Sequence, residues 1–545
     1  MALCGAKASC RPHTHSSAGL PSITRSYLCL CARVGVHALS DPMRRRDKGN
    51  GDGSTRRTTG WRLALVVLGG CLLRFVGLGK ESIWLDEATS IIIARMNLSS
   101  VVAWAAGDIH PPLYYLALHF WLFLGESEFA VRALSAAFGV LTIVVVYALA
   151  SELFGPRVGL LSALLFALSP LHIWYSQETR MYVMVTALSL VASYLMLLAL
   201  RRKRMRYWVG YVLASALALY THYFALFSLL FQNLFALHWL WRNGSGLWRR
   251  WLLAQLAIVL LFFPWLPILY HQVSTGGGGW VEKSVGRPSL YTLVDTWLYF
   301  NIGLDRQLYP VPLRRAAYLL FGVCILAGVL STFRLSEGGA RTQFERDREG
   351  VLFCLAYVGL PVLTVWLLSQ VKPMYSVRYL LPFLPPYCIL VARGIGSLRW
   401  SGARIAVALL LMLTLLVGNW NAWRTEQNAD WRGVTSYVLG QAQPGDVVLF
   451  SPRWNEKPFD YYNRGRVDIN MDLPIPVTVD AAQRVVEDIS DRYQRVWLVW
   501  TSGHYSDPDG IVKQILESRY RVVEEREFRG VDRLILYHLQ AEGGS

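Results

Sequence analysis

"WRLALVVLGGCLLRFVGLGKESIWLDEATS", residues 61–90, opens with an apolar run from Trp61 to Leu78 and ends in a polar stretch. The run has the length and character of a membrane-spanning helix, which needs about 20 residues to cross the hydrocarbon. Within a few residues of its end, behind Trp84 and Leu85, stand two adjacent carboxylates, Asp86 and Glu87. An interfacial helix start accounts for them, since acidic residues favour a first helical turn and Trp favours the headgroup layer. A functional site at the lipid edge accounts for them equally well. The rest of the chain has to decide.

Apolar stretches of similar length recur through residue 421, at about 61–79, 133–152, 158–173, 181–200, 207–221, 223–241, 251–271, 313–333, 351–370, 379–398 and 404–421. With the Arg-rich N-terminus inside, the connections "ELFGPR", "RRKRMR", "RNGSGLWRR", "RLSEGGARTQFERDREG" and "RWSGAR" all fall inside as well. Lys and Arg in short loops stay cytoplasmic, so this agreement sets the parity. Eleven crossings place the C-terminus outside. The apolar stretch "PPLYYLALHFWLFLG" at 111–125 then lies in the interface or re-enters; if it crosses, the count rises to twelve or thirteen. The expectation is a polytopic α-helical plasma-membrane protein of about 11–13 transmembrane helices.

Composition agrees. Of 545 residues 54% are hydrophobic and 21 are Trp, which excludes a single soluble domain. The formal net charge of +17 raises nucleic acid as a partner. The basic clusters, however, sit in short loops between apolar runs, where they set topology, so no nucleic acid is expected. Cys4, Cys10, Cys29 and Cys31 lie in the N-terminal tail and the other four cysteines in apolar runs, so there is no disulfide framework. Residues 1–60 read as a disordered basic cytoplasmic tail, or as an over-extended start, with no apolar core long enough for a signal peptide.

The parity collects nearly every unusual polar cluster on one face. There lie Asp86, Glu87, Asp108, His110, Arg132, "WYSQETRMY" (174–182), "THY" (221–223), the loop 272–312 and "VKPMYSVRY" (371–379). Ionisable groups gathered at span ends on one membrane face mark a site more often than packing. Each has a plainer reading: His110 before two prolines can cap a helix, Gln177, Glu178 and Arg180 can be a solvated loop, and His222 with Tyr223 can be interface anchors. "STGGGGWVEK" (274–283) lacks the following helix of a phosphate cradle and reads as a flexible loop.

Residues 422–545 change character. Short β-rich runs such as "DVVLF", "RVWLVW" and "RLILYHL" alternate with helical patterns, giving a small extracytoplasmic α/β domain after the membrane domain 61–421. It holds no nucleotide-binding glycine fingerprint, no metal-ligand cysteines and no nucleophile elbow.

"WLDEA", "DIHPPLYY", "SPLHIWYSQETRMY", "LALYTHYFALF" and "RYLLPFLPPY" occur in this order over residues 60–420. In that ordered set the chain resembles prokaryotic membrane glycosyltransferases of the C-type fold, in the branch related to protein O-mannosyltransferases and to the lipid A aminoarabinose transferase. The resemblance implies a polyprenyl-phosphate-linked sugar donor, an extracytoplasmic site, and a first-loop acid as general base. Asp86 matches that acid, Glu87 the second member of an Asp-Glu pair, and Arg132 an arginine beyond the first loop. His110 departs from the aminoarabinose transferase, which has Lys before the two prolines. The implied reaction moves a sugar to a protein hydroxyl, lipid or glycan, inverting the anomeric centre in one attack.

The residue chemistry is consistent with that. A carboxylate must take the acceptor's proton, and cations must meet the departing lipid phosphate. Arg132, Arg180, Lys372 and Arg378 are candidates for the phosphate, with Tyr182, Tyr375 and Tyr379 as hydrogen bonders. Gln177, Glu178, His110, His222 and Tyr223 complete the candidate substrate site, and Asp86 with Glu87 the catalytic one. The sequence identifies no certain cofactor; a divalent metal stays open, with Asp86, Glu87, His110, Glu178 and His222 as hard ligands. The rival is a transporter or flippase of lipid-linked sugars, which would place its polar groups near the midplane, often within internal repeats.

Overall fold

The computed structural model describes residues 52–539 except 245, 276–285, 305–306, 308, 334–340, 426 and 502–505. The N-terminal tail to residue 51 and the four consecutive glycines at 276–279 lie outside the described residues. By length and composition 7 described helices can cross a membrane, or 8 if Pro156–Ala167 and Pro170–Ser176, bent by 61°, form one broken span. The other three expected spans also form helices: Asp52–Phe75, charged over its first turns, the 17-residue Met205–Thr221, and Ala225–Asn243, which carries Gln232, Asn233 and His238. Leu113–Trp121 continues only through the short turn Leu122–Leu124. At about 1.5 Å per residue that helix falls well short of the ~30 Å hydrocarbon.

Burial sorts the spans into two classes. Glu128–Phe154, Tyr182–Arg202 and Val377–Ser397 have 72, 78 and 83% of their apolar windows buried, whereas Trp248–Ser274, Val311–Leu330 and Ser401–Arg424 have 22%. The peripheral helices leave Leu256, Leu260, Leu319, Ile405 and Leu413 more than half exposed, as a lipid-facing surface requires. Two helices approach closely where Val311–Leu330 crosses Leu384–Ser397, and a Cβ on Gly394 would run into the Cys324 carbonyl.

The broken span aims chain at the membrane surface. Pro170 starts its second piece and has no N–H for Phe166 O, which takes a turn bond from Ser169 N at 3.2 Å instead, while the carbonyls of Ala167 and Leu168 lose helical partners. They find others. The fully buried Arg74 donates to Phe166 O and Ala167 O, and Asn419 Nδ2 donates to Leu168 O at 2.8 Å. Satisfying such groups inside protein is what makes irregular backbone tolerable at membrane depth.

The C-terminal region forms a five-stranded sheet in the order β2-β1-β3-β5-β4. Its strands are β1 (Asp446–Ser451), β2 (Asp468–Asn470), β3 (Arg495–Trp500), β4 (Arg521–Phe528) and β5 (Val531–His538). β1 runs parallel to β2 and β3, while β5 pairs antiparallel with β3 and β4. The period-two side-chain alternation sends Val447, Leu449, Val496 and Leu498 to one face, against helices Val479–Arg492 and Ile511–Arg519. Val448, Phe450, Trp497 and Val499 meet helices Trp431–Gln441 and Glu456–Asn463 on the other.

This domain grips the stretch that follows the first helix. Tyr462 Oη accepts from Ile83 N at 2.8 Å, Asn428 Nδ2 donates to Ser82 O at 2.9 Å, and Arg432 bridges Glu128 and Gly79 O. Tyr461 packs with Ile83, Ala88, Ile91 and Val131. The residues leading into Asp86 are thus held from both sides.

Candidate functional site

Asp86 is the second residue of helix Leu85–Arg95, where its charge complements the positive end of the helix dipole. Its side chain is 29% exposed, and two arginines from distant parts of the chain flank it. Arg378 Nη1 donates to Asp86 Oδ2 at 3.2 Å, and Arg180 Nε lies 4.0 Å from the same oxygen. Arg180 sits at the tight turn before helix Tyr182–Arg202, and Arg378 in the 3₁₀ turn Val377–Phe383. Arg180 is held by Asp86 O and by Ser90 Oγ, one helical turn beyond Asp86. Its buried Nε has no hydrogen-bond partner among the described residues. One partly exposed carboxylate beside two guanidinium groups can take a proton on one side and hold an anion on the other.

Glu87 turns the opposite way. It is fully buried and receives Arg132 in a bidentate pair at 2.8 and 2.6 Å, plus Thr179 N at 2.8 Å. Arg132 also donates to the carbonyls of Leu78, Glu81 and Ser82. Neither faces an opening: the pair ties the loop after the first helix to the turn carrying Arg180.

Glu178 lies in the turn between Pro170–Ser176 and Tyr182–Arg202 and accepts from Trp174 Nε1 at 2.8 Å. Burial, then the charge on Glu87, pushes its carboxyl up to about 8, with Arg378 opposing. The folded state therefore prefers the protonated form. The resulting stability is fully present below the ordinary carboxylate range and is lost as pH rises through about 8. Purified protein should accordingly melt at a lower temperature at pH 8.5 than at pH 5.5. Glu178→Gln, which cannot ionise, should show a smaller difference by intrinsic tryptophan fluorescence; an unchanged difference would remove Glu178 as its source.

On the other side of the arginines lies an aromatic and imidazole cluster. His222 sits in extended backbone between helices Met205–Thr221 and Ala225–Asn243. Its ring centroid is 5.1 Å from Tyr379, 5.5 Å from His110 and 6.1 Å from Tyr182. The cations continue into the cluster, with Arg180 5.7 Å from the Tyr182 centroid and Arg378 6.0 Å from that of Tyr379. His110 Nδ1 is 3.1 Å from Asp108 Oδ2. Burial works to raise the Asp108 carboxyl, but the hydrogen bond and charge of His110 outweigh it and hold the group below its ordinary range.

Among the residues expected from the sequence, Asp86, Arg180, Arg378, Tyr182, Tyr379, His110 and His222 therefore converge, with Glu178 adjoining. Others are engaged elsewhere. Gln177 Nε2 reaches Val76 O at the end of the first helix, and Lys372 Nζ reaches Val273 O. Tyr375 pairs with Thr296, and Tyr223 donates to Gln272 while accepting from Trp265. Ser90 and Asp108 also belong with the site; the sequence puts Asp108 on this face without assigning it a role, and Ser90 shows itself only through its four-residue spacing from Asp86. For a metal, Glu87 is committed to Arg132, and no group of three or more His, Cys, Asp or Glu that could hold an ion occurs among the described residues. These residues do not fit a metal centre.

A cavity of about 330 Å³ lies between the ends of Asp52–Phe75, Pro170–Ser176 and Ser401–Arg424. Its wall includes Leu73, Ile173, Trp174, Leu416 and Trp420 together with the polar Lys80, Glu81, Gln177 and Asn419, and none of the converging residues lines it.

The model of the dolichyl-phosphate-mannose-protein mannosyltransferase family matches residues 109–271, a stretch that includes His110, Arg132, Arg180 and His222 but neither Asp86 nor Arg378. No curated protein sequence matches. Among solved structures, ArnT from Cupriavidus metallidurans in the apo state aligns with 14% identity and a TM-score of 0.59, over 90% of this chain and 100% of its own. ArnT bound to undecaprenyl phosphate aligns with 13% identity and a TM-score of 0.56, over 89% and 100%. The oligosaccharyltransferase AglB from Archaeoglobus fulgidus, in complex with an inhibitory peptide and a dolichol-phosphate, aligns with 12% identity and a TM-score of 0.52, over 82% and 70%. At these identities the likeness is one of fold.

Proposed function

We propose that this chain, a membrane glycosyltransferase of the C-type fold, moves a sugar from a polyprenyl-phosphate donor to an acceptor hydroxyl at the extracytoplasmic face, with Asp86 as general base. The observation that carries the reading is the Asp86 carboxylate flanked by Arg378 and Arg180. Catalysis of this transfer needs a base for the acceptor proton and cations for the phosphate that departs. Both stand here within one ion-pair distance. The donor phosphate competes with Asp86 for the two guanidinium groups, and Arg180 Nε is a ready donor for it. Its arrival loosens Asp86 from Arg378 and leaves the carboxylate free to accept a proton. Attack of the acceptor oxygen forms the new glycosidic bond as the anomeric carbon–phosphate oxygen bond breaks; the bonding pair leaves with the prenyl phosphate, and a single displacement inverts the centre.

The ArnT and AglB structures with lipid phosphates support the donor class by analogy of fold. The five basic connections support an inside N-terminus and an outside sheet domain. A transporter would hold its polar groups at the midplane rather than at span ends.

In the corresponding assay, purified protein in nanodiscs should release free polyprenyl phosphate from a lipid-linked monosaccharide only when an acceptor extract is added. Nucleotide sugars alone should support no transfer. Turnover of a nucleotide sugar without prenyl phosphate would overturn the proposal.

A further inference from the structure

His222 carries an unused donor whose position is set by its own backbone. The amide N–H of Phe224 donates to His222 Nδ1 at 3.1 Å, so that nitrogen holds the lone pair. Burial, then the neighbouring His110 and Arg180, keeps the ring well below the ordinary histidine range and hence neutral. The proton of a neutral ring must then be on Nε2, and this atom is buried without a hydrogen-bond partner among the described residues. A buried donor without a partner is unfavourable, so a ligand that accepts from it gains affinity.

His110 is its complement. Asp108 is held in its ionised form, so His110 Nδ1–H donates to it, and the ring's other nitrogen, Nε2, is the one left for a ligand. Two rings with centroids 5.5 Å apart thus offer the His222 Nε2–H donor and the His110 Nε2 nitrogen, beside the rings of Tyr182 and Tyr379. A hydroxyl is the group that both accepts and donates, and aromatic rings suit the C–H faces of a sugar. A phosphate is disfavoured at this end by the Asp108 charge and favoured at the Arg180–Arg378 end. A metal ion is disfavoured because His222 Nε2 carries a proton rather than a lone pair.

We propose that His222 and His110 form a subsite that reads one hydroxyl of the transferred sugar, His222 Nε2–H donating to that oxygen and His110 Nε2 hydrogen-bonding the same hydroxyl, which meets the ring in either protonation form because it both accepts and donates. This rests on the lipid-linked donor reading and adds the group that selects the sugar. Tyr379 joins the two ends of the site, 5.1 Å from His222 and next to Arg378, which contacts Asp86.

The test compares affinities for bare decaprenyl phosphate with those for decaprenyl-phosphate mannose, glucose and arabinose, using protein in nanodiscs. Wild type should bind at least one sugar-bearing lipid more tightly than the bare lipid. His222→Phe, which keeps an aromatic ring in an aromatic cluster, should lose about 10-fold on that lipid and nothing on bare decaprenyl phosphate. His222→Gln, which restores a donor, should recover part of the loss. Unchanged bare-lipid binding also certifies the fold. Retention of the sugar increment in His222→Phe, equal loss on both lipids, or no increment for any sugar in wild type would each overturn the subsite. Failure of wild type to bind decaprenyl phosphate at all would instead strike the donor reading beneath it.

Discussion

Asp86→Asn should slow transfer by about 10²–10⁴-fold, the usual worth of a positioned general base. The substitution keeps size and an acceptor oxygen toward Arg378 while removing the group that takes the proton. Its effect on binding should have the other sign. Asp86 neutralises part of the charge on Arg378 and Arg180, so its loss leaves the positive charge of the pair less compensated, and polyprenyl phosphate should bind as well or more tightly. Arg378→Ala should show the reverse pattern, with weakened lipid-phosphate binding accompanying the loss of rate. Rate at saturating donor and affinity for the bare lipid, measured on protein matched for membrane level, separate the two. Wild-type transfer by Asp86→Asn would reduce the Asp86–Glu87 pair to an interfacial helix start. If Glu87→Gln were the inactive variant instead, the carboxylates would exchange roles.

Which of two adjacent carboxylates is the working one illustrates where sequence reading stops. Neighbouring residues on a helix do not share a face, so one of Asp86 and Glu87 had to turn inward, and nothing in "WLDEA" says which. The answer depends on Arg132, 45 residues away, and on the Thr179 amide. The convergence on Asp86 was more legible. Parity put residues 86, 180 and 378 on one face, although no pattern pairs positions 292 residues apart. The eleven helical segments were visible because length and hydropathy are local quantities. The bend at Pro170 was not, because the prolines at 156 and 170 sit comfortably in first turns and only the filling of freed carbonyls by Arg74 and Asn419 permits the break. Lys372, Tyr375 and Tyr223 look like site residues by position, yet each has a specific partner that only the packed helices supply. The sheet domain was recognisable from its alternation, whereas its hold on Ile83 through Tyr462 depends on docking.

Arg132→Met should be the most destabilising of these substitutions, with a loss of about 3–5 kcal/mol, because it strands the fully buried Glu87 carboxylate without its counter-ion. It also removes the donors to the carbonyls of Leu78, Glu81 and Ser82, the stretch that carries the chain from the first helix into Asp86. Glu87→Gln should cost less: its oxygen still accepts from Thr179 N and Arg132 Nε, but its amide faces Arg132 Nη2, donor against donor. The double variant Glu87→Gln/Arg132→Met removes both charges and should melt closer to wild type than Arg132→Met alone, since a stranded charge rather than lost attraction dominates the single change. Thermal unfolding in detergent, followed by tryptophan fluorescence, reads the order directly. If Arg132→Met melts at the wild-type temperature, the pair is not what secures the loop. If it melts normally yet transfers no sugar, Arg132 acts on the substrate, and the division between a structural Glu87 and a reactive Asp86 would have to be redrawn.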